Sequence, residues 1–515
     1  MFRSKQTMKA HLIALLLIIS LLAHGPSILG QSTNQISAED RTMATMIAAR
    51  LRSRIDNAWR VGKLPGIQVG FSFVYGSTPD GKPRVIAGSF TSGVNNLSTD
   101  APLTPKDRMP IGSVANTFLA AVALRLVEAG KLKLDDKISS YLGSEPWFTR
   151  LPNANDITLS MLLNQSSGLE NHAANNNFQK QWLKNSEKNI TPAELVSYVL
   201  DKKPLFPAGS DYAYSETNYL LAGMILEKVT GKPITDLISE MIIKPYKLDR
   251  TSAANSLVIP EVATGYLKGK PVIESGRFII NPQWEWAGGT FVSTAEDLAR
   301  WANLLYGGEV LSASSKQQLI NSMTTGEGII YGLGVVIARS KFGRTYGHDG
   351  EFPGYLSEMR YYTKHNLAIA MLVNSEETSE SSRVLASAVD DFAEVIIQAT
   401  EEPKTLTVDF NQMQKLAESW LALIDAGDFD KAWRQGSDAL KKRLPNDVWE
   451  RMMRDSDRDN GPLKTRKLVD VSTPRSNQKL VALRFDTEFS KRTVAEFVVF
   501  AFEDGEWRVS SYSIR

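Results

Sequence analysis

The sequence predicts an α/β sandwich that carries an all-α subdomain, followed by a small C-terminal α+β domain. The first observation behind this is the order of elements. A helix and a β-hairpin open the chain, strands and a long helix come shortly before residue 400, and a helix-rich stretch lies between them. The second observation is a change of pattern after residue 400, where short helices precede three strands. We therefore expect two folded domains.

The first domain is predicted over residues 36–398. Its opening helix rests on apolar side chains that recur at helical spacing, and its strands rest on runs of β-branched and aromatic residues. In chain order the predicted elements are a helix, a two-stranded hairpin, three further strands and a closing helix, at residues 37–60, 66–74, 84–88, 332–340, 344–348, 366–373 and 379–399. The all-α subdomain falls between the two groups of strands.

The second domain is predicted over residues 407–515, after a polar linker at residues 399–406 that contains Pro403. We expect three helices and then three strands, the last two joined by a tight turn at Gly505. The elements are predicted near residues 410–421, 429–444, 446–454, 480–487, 493–502 and 507–513.

Residues 1–30 have the pattern of a secretory signal peptide. A basic start is followed by an apolar run at residues 12–22 and then by small residues. That run is too short to span a bilayer, which needs about 20 apolar residues. The pattern predicts a bacterial protein that is periplasmic or secreted, without stable membrane insertion after cleavage; an uncleaved N-terminal anchor is the alternative.

Charge and composition exclude several classes of function. Beyond residue 30 the chain has 56 basic and 57 acidic residues, which gives no electrostatic case for nucleic acid or an anionic membrane as partner. No cysteine is present, so disulfides and thiolate nucleophiles are excluded. The histidines have no metal-binding spacing, and we expect neither a metal nor a cofactor. His172 and His365 are expected to be ordinary surface or loop residues.

Ser113 is the first candidate for chemistry, because it precedes an apolar run at residues 118–124 that should be a buried helix. The N-terminus of a helix favours negative charge, which suits a nucleophile whose attack creates an oxyanion. Taken alone, a serine in this position is more often a simple helix cap.

Further motifs change that interpretation, since five segments occur in the order and spacing of the β-lactamase-related serine hydrolases. This family includes class C β-lactamases, DD-carboxypeptidases and related esterases. The resemblance covers about residues 40–395 and rests on segments 108–113 (followed by 130–136), 162–169, 214–221, 287–294 and 348–350.

The resemblance implies a serine acyl-transfer mechanism acting on a small-molecule or peptide acyl substrate: a D-amino-acid peptide, an ester, an amide or a β-lactam. Ser113 matches the nucleophile, Tyr214 the tyrosine that shuttles protons to the leaving group, and His348 the first residue of the third motif, which ends at Gly350. The oxyanion donors implied are the backbone N–H groups of Ser113 and Glu351.

Two motif positions depart from the family. Asn116 stands where the family has a lysine, and Glu216 stands where it has an asparagine. An amide cannot take up a proton near neutral pH, and the exchange turns a positive site into a negative one if Glu216 is ionised. Gln165 also replaces a histidine that many relatives have.

Two outcomes remain open from the sequence. Either another base serves, with Glu216 or His348 as candidates, and hydrolysis is slow or altered, or the protein is a pseudoenzyme that binds peptidoglycan-like peptides. The C-terminal domain resembles a small uncharacterised bacterial exported domain with a nuclear-transport-factor-like fold. We expect it to bind a partner or to dimerise.

Overall fold

The computed structural model describes residues 38–77, 83–308, 310–321, 323–324, 330–376, 379–401, 409–473, 480–503 and 506–515. The predicted signal peptide, most of the predicted linker and the turn at Gly505 lie outside these residues. Among the described residues, no helix is long and apolar enough to cross a membrane.

The helices are numbered α1 to α15 in chain order. They cover Ala38–Gly62, Asn116–Glu128, Ser139–Leu142, Leu159–Leu163, Asn176–Lys184, Pro192–Ser197, Glu216–Thr230, Ile234–Ile238, Ala295–Ala302, Ala313–Leu319, Ser379–Glu401, Phe410–Asp425, Phe429–Arg434, Asp438–Arg443 and Asn446–Asn460. Short 3₁₀ or π turns occur at Gly112–Ala115, Phe148–Arg150, His172–Ala174, Ser239–Ile243, Pro282–Gly288 and Asn303–Gly307.

The strands are numbered β1 to β21 in the same way. They cover Gly66–Ser77, Pro83–Asn96, Ala101–Pro102, Met109–Pro110, Ser252–Ala253, Tyr266–Leu267, Lys270–Pro271, Ile273–Glu274, Arg277–Phe278, Phe291–Ser293, Met323–Thr324, Ile330–Tyr331, Val336–Ser340, Gly343–Phe352, Tyr355–Tyr362, Leu367–Val373, Ser375–Glu376, Leu463–Ser472, Leu480–Phe489, Thr493–Glu503 and Glu506–Ile514.

By their internal contacts the described residues divide into two units. One lies within Ile55–Ala393, and the other combines residues of Asn34–Arg54 with Glu394–Arg515. The division falls inside α1 and α11, whereas the sequence analysis placed the boundaries at residues 36 and 398. The first residues of the predicted linker also belong to α11, because Ala399 is buried and continues its apolar side.

The first unit is built on an antiparallel nine-stranded sheet in the order β11-β12-β13-β14-β15-β16-β1-β2-β3. Strand β1 pairs with β16 over seven residues, so the start of the domain and its end share one sheet. This joins the two groups of strands as the sequence predicts. The chain between β4 and β5 contains only helices, turns and loops, which confirms the all-α subdomain.

Helix α2 is the buried centre of that subdomain. Ten of its thirteen residues are buried. Its Phe118 ring stacks on Trp301 of α9 with ring centroids 4.7 Å apart, and the Trp301 Nε1–H donates to the Thr117 hydroxyl at 2.8 Å. These contacts fix the helix, and therefore the turn before it, against α9.

The second unit contains an antiparallel four-stranded sheet, β18-β19-β20-β21, with helices α12 to α15. It confirms the predicted α+β class. Strand β18 is missing from the sequence prediction, and the predicted helix at 429–444 is two helices, since the chain turns at Gly436 and Ser437 caps α14. The likeness to nuclear-transport-factor-like proteins stays a prediction.

His172 was predicted to be a surface or loop residue, and the surface part of this expectation is wrong. It lies in a turn but is only 3% exposed, and its Nδ1 lies 3.1 Å from the Thr217 hydroxyl. Burial lowers the pKa of His172 to about 4, so the ring is neutral at pH 7.

Candidate active site

Ser113 lies in the short 3₁₀ turn that leads into α2, and it does not cap that helix. The N-cap position is Ala115, whose methyl side chain provides no capping hydrogen bond. Instead, the Ser113 hydroxyl donates to Glu216 Oε1 at 3.1 Å. The side chain is partly exposed, so a ligand can reach it.

Glu216 begins α7 and lies beside the second motif residue, Tyr214. The Asn116 Nδ2 amide donates to the Tyr214 hydroxyl at 2.9 Å, which ties the lysine position of the first motif to the tyrosine of the second. The structure thus brings together four of the residues singled out from the sequence: Ser113, Asn116, Tyr214 and Glu216.

Burial shifts the two titratable groups of this cluster. It raises the pKa of Glu216 above its ordinary value, while hydrogen bonds from Tyr214 and Ser113 oppose the shift. Burial, with the charge of Glu216, holds the pKa of Tyr214 well above its ordinary value. Tyr214 is therefore a neutral phenol at pH 7, which can pass a proton on through its hydroxyl but is not a phenolate base.

His348 is close to this cluster but bonded elsewhere. Its ring centroid lies 6.2 Å from that of Tyr214. Its Nε2 lies 2.7 Å from the Tyr331 hydroxyl, and its Nδ1 lies 2.5 Å from the backbone oxygen of Asp349. Burial lowers the pKa of His348, so it is a neutral ring with both nitrogens engaged.

The third motif runs alongside the serine turn. A Cβ built on Gly350 would lie 2.1 Å from the Ile111 backbone oxygen and 3.0 Å from the Ser113 nitrogen. A Cβ on Gly112, where φ is +49°, would lie 2.6 Å from the Glu351 nitrogen. The two backbone N–H groups expected to serve as oxyanion donors, at Ser113 and Glu351, are therefore on adjacent segments.

Gln165 has a structural role. Its Oε1 accepts a hydrogen bond from the Ser215 backbone N–H at 3.0 Å, and its own backbone has a φ of +66°. This contact holds the segment that carries Tyr214 and Glu216.

Three residues of the site escaped the sequence analysis. Ser357 of β15 donates to the Ile111 backbone oxygen at 2.8 Å and so links the sheet to the serine turn. Tyr331 bonds to His348. Glu285 lies beside the Gly288-Gly289 segment, and burial together with the charges of Glu216 and Glu351 raises its pKa well above the ordinary value. In the sequence, Glu285 is marked only by its position between Trp284 and Trp286, just before that segment.

Comparison with known proteins places both domains in families. Residues 43–394 match the Beta-lactamase family, and residues 416–512 match a family described as protein of unknown function DUF4019. The first match covers well over half of the chain, and it confirms the resemblance drawn from the motifs.

Individual relatives are distant. Penicillin-binding protein 4* of Bacillus subtilis (strain 168) is 26% identical over 315 residues, which are 58% of this chain and 67% of that protein. A D-aminopeptidase of Brucella anthropi is 26% identical over 288 residues, 55% of this chain and 53% of the relative. The chain thus matches about half the length of the D-aminopeptidase.

Solved structures agree with the fold. The D-stereospecific amidohydrolase from Streptomyces sp. superposes with a TM-score of 0.55 at 26% identity, covering 67% of this chain and 98% of that one. The D-amino acid amidase from Ochrobactrum anthropi SV3, complexed with L-phenylalanine amide, gives 0.55 at 23% identity, covering 69% and 98%, which bears on the fold alone. From the sheet, the motif order and these matches, the chain belongs to the Beta-lactamase family of serine hydrolases.

Proposed function

We propose that this protein is an exported serine hydrolase in which Glu216 replaces the family's lysine as general base. The observation that carries this proposal is the hydrogen bond from the Ser113 hydroxyl to Glu216 Oε1 at 3.1 Å. A candidate base must lie within hydrogen-bond reach of the proton it removes, and Glu216 does.

In the proposed reaction, Ser113 Oγ forms a bond to the substrate carbonyl carbon while its proton passes to Glu216. As the acyl-enzyme forms, the bond from that carbon to the leaving nitrogen or oxygen breaks, and the leaving group takes up the proton with Tyr214 as the relay. Water, activated by the same carboxylate, then releases the acyl group. The N–H groups of Ser113 and Glu351 hold the oxyanion.

The chemistry of Glu216 suits a slow reaction. Its raised pKa makes it a stronger base than an exposed glutamate. However, a carboxylate beside a developing oxyanion is electrostatically unfavourable, and no ammonium at position 116 offsets it. Losing a well-placed base typically costs about 10² to 10⁴ in rate, and Glu216 is expected to recover part of that factor.

His348 is a positioning residue in this scheme. Its hydrogen bonds go to Tyr331 and to the Asp349 backbone, and none to Ser113 is present. With its pKa lowered by burial, the ring is neutral, and it packs beside the ring of Tyr214.

The proposed substrate is an amide, ester, peptide or β-lactam with an acyl group next to a D-configured carbon. Support comes from the names of the relatives, which include a D-aminopeptidase and a D-stereospecific amidohydrolase. The basic, then apolar, then small pattern of residues 1–30 supports a periplasmic or secreted location, where such peptides occur.

The alternative is a protein that binds peptidoglycan-like peptides without cleaving them. The fully buried Asn116 favours this alternative, because an amide there cannot remove a proton from Ser113.

Covalent labelling of the full-length protein distinguishes the two. We expect a fluorescent penicillin or a fluorophosphonate to add one label to Ser113, read by intact mass, and Ser113→Ala to abolish it. Glu216→Gln should slow labelling by roughly 10²-fold. The control is Glu227→Gln, which removes a carboxyl from the same helix at a position outside the site. If neither probe labels the folded protein, the hydrolase proposal fails and the binder is favoured.

A further inference from the structure

Side-chain oxygen acceptors lie around the Gly288-Gly289 segment, close to Glu216, the partner of Ser113. A Cβ on Gly288 would lie 2.7 Å from Glu216 Oε2 and 3.9 Å from Asn116 Oδ1. A Cβ on Gly289 would lie 1.7 Å from Glu285 Oε2. The side-chain oxygens of Asn116, Glu216 and Glu285 therefore gather at these two glycines, and we call these three residues the acceptor pocket.

Two of these oxygens have no hydrogen-bond partner in the described part of the chain. Asn116 is 0% exposed, and its Oδ1 is buried and unpaired, although its Nδ2 is bound to Tyr214. Glu285 Oε2 is likewise buried and unpaired. A buried acceptor without a donor is destabilising, so a donor brought by a ligand would be stabilised here.

The acceptor pocket contains two carboxyl groups, those of Glu216 and Glu285. The groups that shift the pKa values of Glu216, Glu285 and Tyr214 are carboxylates, hydroxyls and burial, and no lysine or arginine is among them. The motif that the chain resembles has an ammonium group at position 116, and Asn116 removes it. Carboxyl groups that are buried without a cation bind one favourably, because a nearby positive charge stabilises their ionised form.

We propose that the acceptor pocket binds a primary ammonium group and that the substrate supplies it. This inference rests on the proposed hydrolase function and narrows it to acyl compounds with a free, protonated amine near the scissile carbonyl, such as amino-acid amides, amino-acid esters and peptides with a free N-terminus.

The hydrogen-bond donors of an ammonium group match the acceptors of this pocket. An ammonium group has three donors and no acceptor, which matches one amide oxygen and two carboxyl groups. Its charge favours the ionised form of Glu216, the form in which that residue can accept the Ser113 proton. The substrate thereby takes over the electrostatic part of the missing lysine. An N-acetylated substrate has neither the charge nor the three donors.

The test measures binding without requiring catalysis. In the full-length Ser113→Ala variant at pH 6.5, isothermal titration compares D-alaninamide with N-acetyl-D-alaninamide. We expect the free amine to bind at least about tenfold more tightly. Glu285→Gln in the same background should reduce the affinity for D-alaninamide by at least about tenfold and leave that for the acetylated amide unchanged, while Glu227→Gln should change neither.

Asn116→Lys in the same Ser113→Ala background gives a second comparison, because the lysine ammonium group would itself occupy the acceptor pocket. The preference for the free amine should then disappear. Equal affinity for the two amides in the Ser113→Ala protein would overturn the proposal, even if the wild-type protein is labelled at Ser113, so it can fail while the hydrolase function stands.

A free ammonium ion from solution could occupy the acceptor pocket in place of the substrate's ammonium group. Titrating ammonium chloride against sodium chloride at constant ionic strength separates the two sources. Binding of D-alaninamide that is unaffected by millimolar ammonium supports the substrate as the source. Competition by millimolar ammonium, together with equal affinities for the two amides, would assign the pocket to the free ion and overturn the substrate proposal.

Discussion

Positions 116 and 216 exchange size and charge relative to the motifs that the chain resembles. At position 116 the family's motif has a long, cationic lysine, and this chain has the short amide Asn116. At position 216 the motif has a short asparagine, and this chain has the longer carboxylate Glu216. The extra length lets Glu216 reach the Ser113 hydroxyl, and Asn116 instead reaches Tyr214. The two side chains therefore share the contacts around the serine and the tyrosine.

Asn116→Lys should raise the hydrolysis of a neutral ester by at least about tenfold, because the new ammonium restores a cation beside the serine and the tyrosine. The measurement is the steady-state rate with an N-acetylated ester, compared with wild type. Circular dichroism checks that the variant is folded. An unchanged rate in a folded variant would contradict the placement of residue 116 beside the reacting atoms.

At the scale of elements, the site depends on the contact between β14 and the turn at Gly112–Ala115. Gly350 lies against the Ile111 backbone, and Ser357 of β15 bonds to the same carbonyl. Backbone atoms cannot move aside as a flexible side chain can, so this contact sets the position of the Ser113 and Glu351 N–H groups.

Gly350→Ala should therefore destabilise the protein by roughly 1–3 kcal/mol and slow labelling of Ser113 by at least about tenfold, because the added methyl group forces the strand away from the turn. Urea unfolding and labelling rates measure the two effects.

Gly231→Ala is the matched control. It lies at the end of α7 with φ at +69° and nothing within 4 Å of an added Cβ, so it should cost only about 1 kcal/mol of backbone strain and leave labelling unchanged. Equal labelling rates in the two variants would show that the contact at Gly350 does not position the site.

Two long strands that the sequence analysis missed, β15 and β18, share a physical cause. Strand β15 carries Glu358 and Arg360, which are half-buried, and Arg360 pairs with Glu358 at 2.7 Å and with the distant Asp390 of α11 at 3.1 Å. Strand β18 carries Arg466, whose side chain is 10% exposed and pairs with the fully buried Glu496. Charged residues in a strand indicate a solvent-exposed face, and only a partner distant in sequence makes their burial possible.

At the scale of the whole molecule, stability should depend on pH through buried histidine. The pKa of His172 falls from 6.5 to about 4 on folding, so the unfolded chain binds the proton more readily. The neutral His172 therefore contributes up to roughly 3 kcal/mol to the free energy of unfolding. This contribution is fully present above pH 6.5 and is lost as the pH falls towards 4.

The measurement is the free energy of unfolding at pH 7.5 and at pH 5 for wild type and His172→Gln. The variant is expected to be less stable at pH 7.5, since a packed ring is lost, but to lose less stability on acidification. Parallel losses in the two proteins would contradict a neutral, buried His172.

The sequence by itself determined the fold class and the order of domains through local periodicity, and its resemblance to a known family identified the motif residues Ser113, Asn116, Tyr214, Glu216 and His348. Only the tertiary structure decided their partners. The hydrogen bond of Ser113 to Glu216, the engagement of His348 by Tyr331 and the place of Glu285 beside Gly289 join residues from 17 to over 100 positions apart or across a turn. Such contacts depend on how the helices pack on the sheet, and burial then sets their pKa values, which no local pattern encodes.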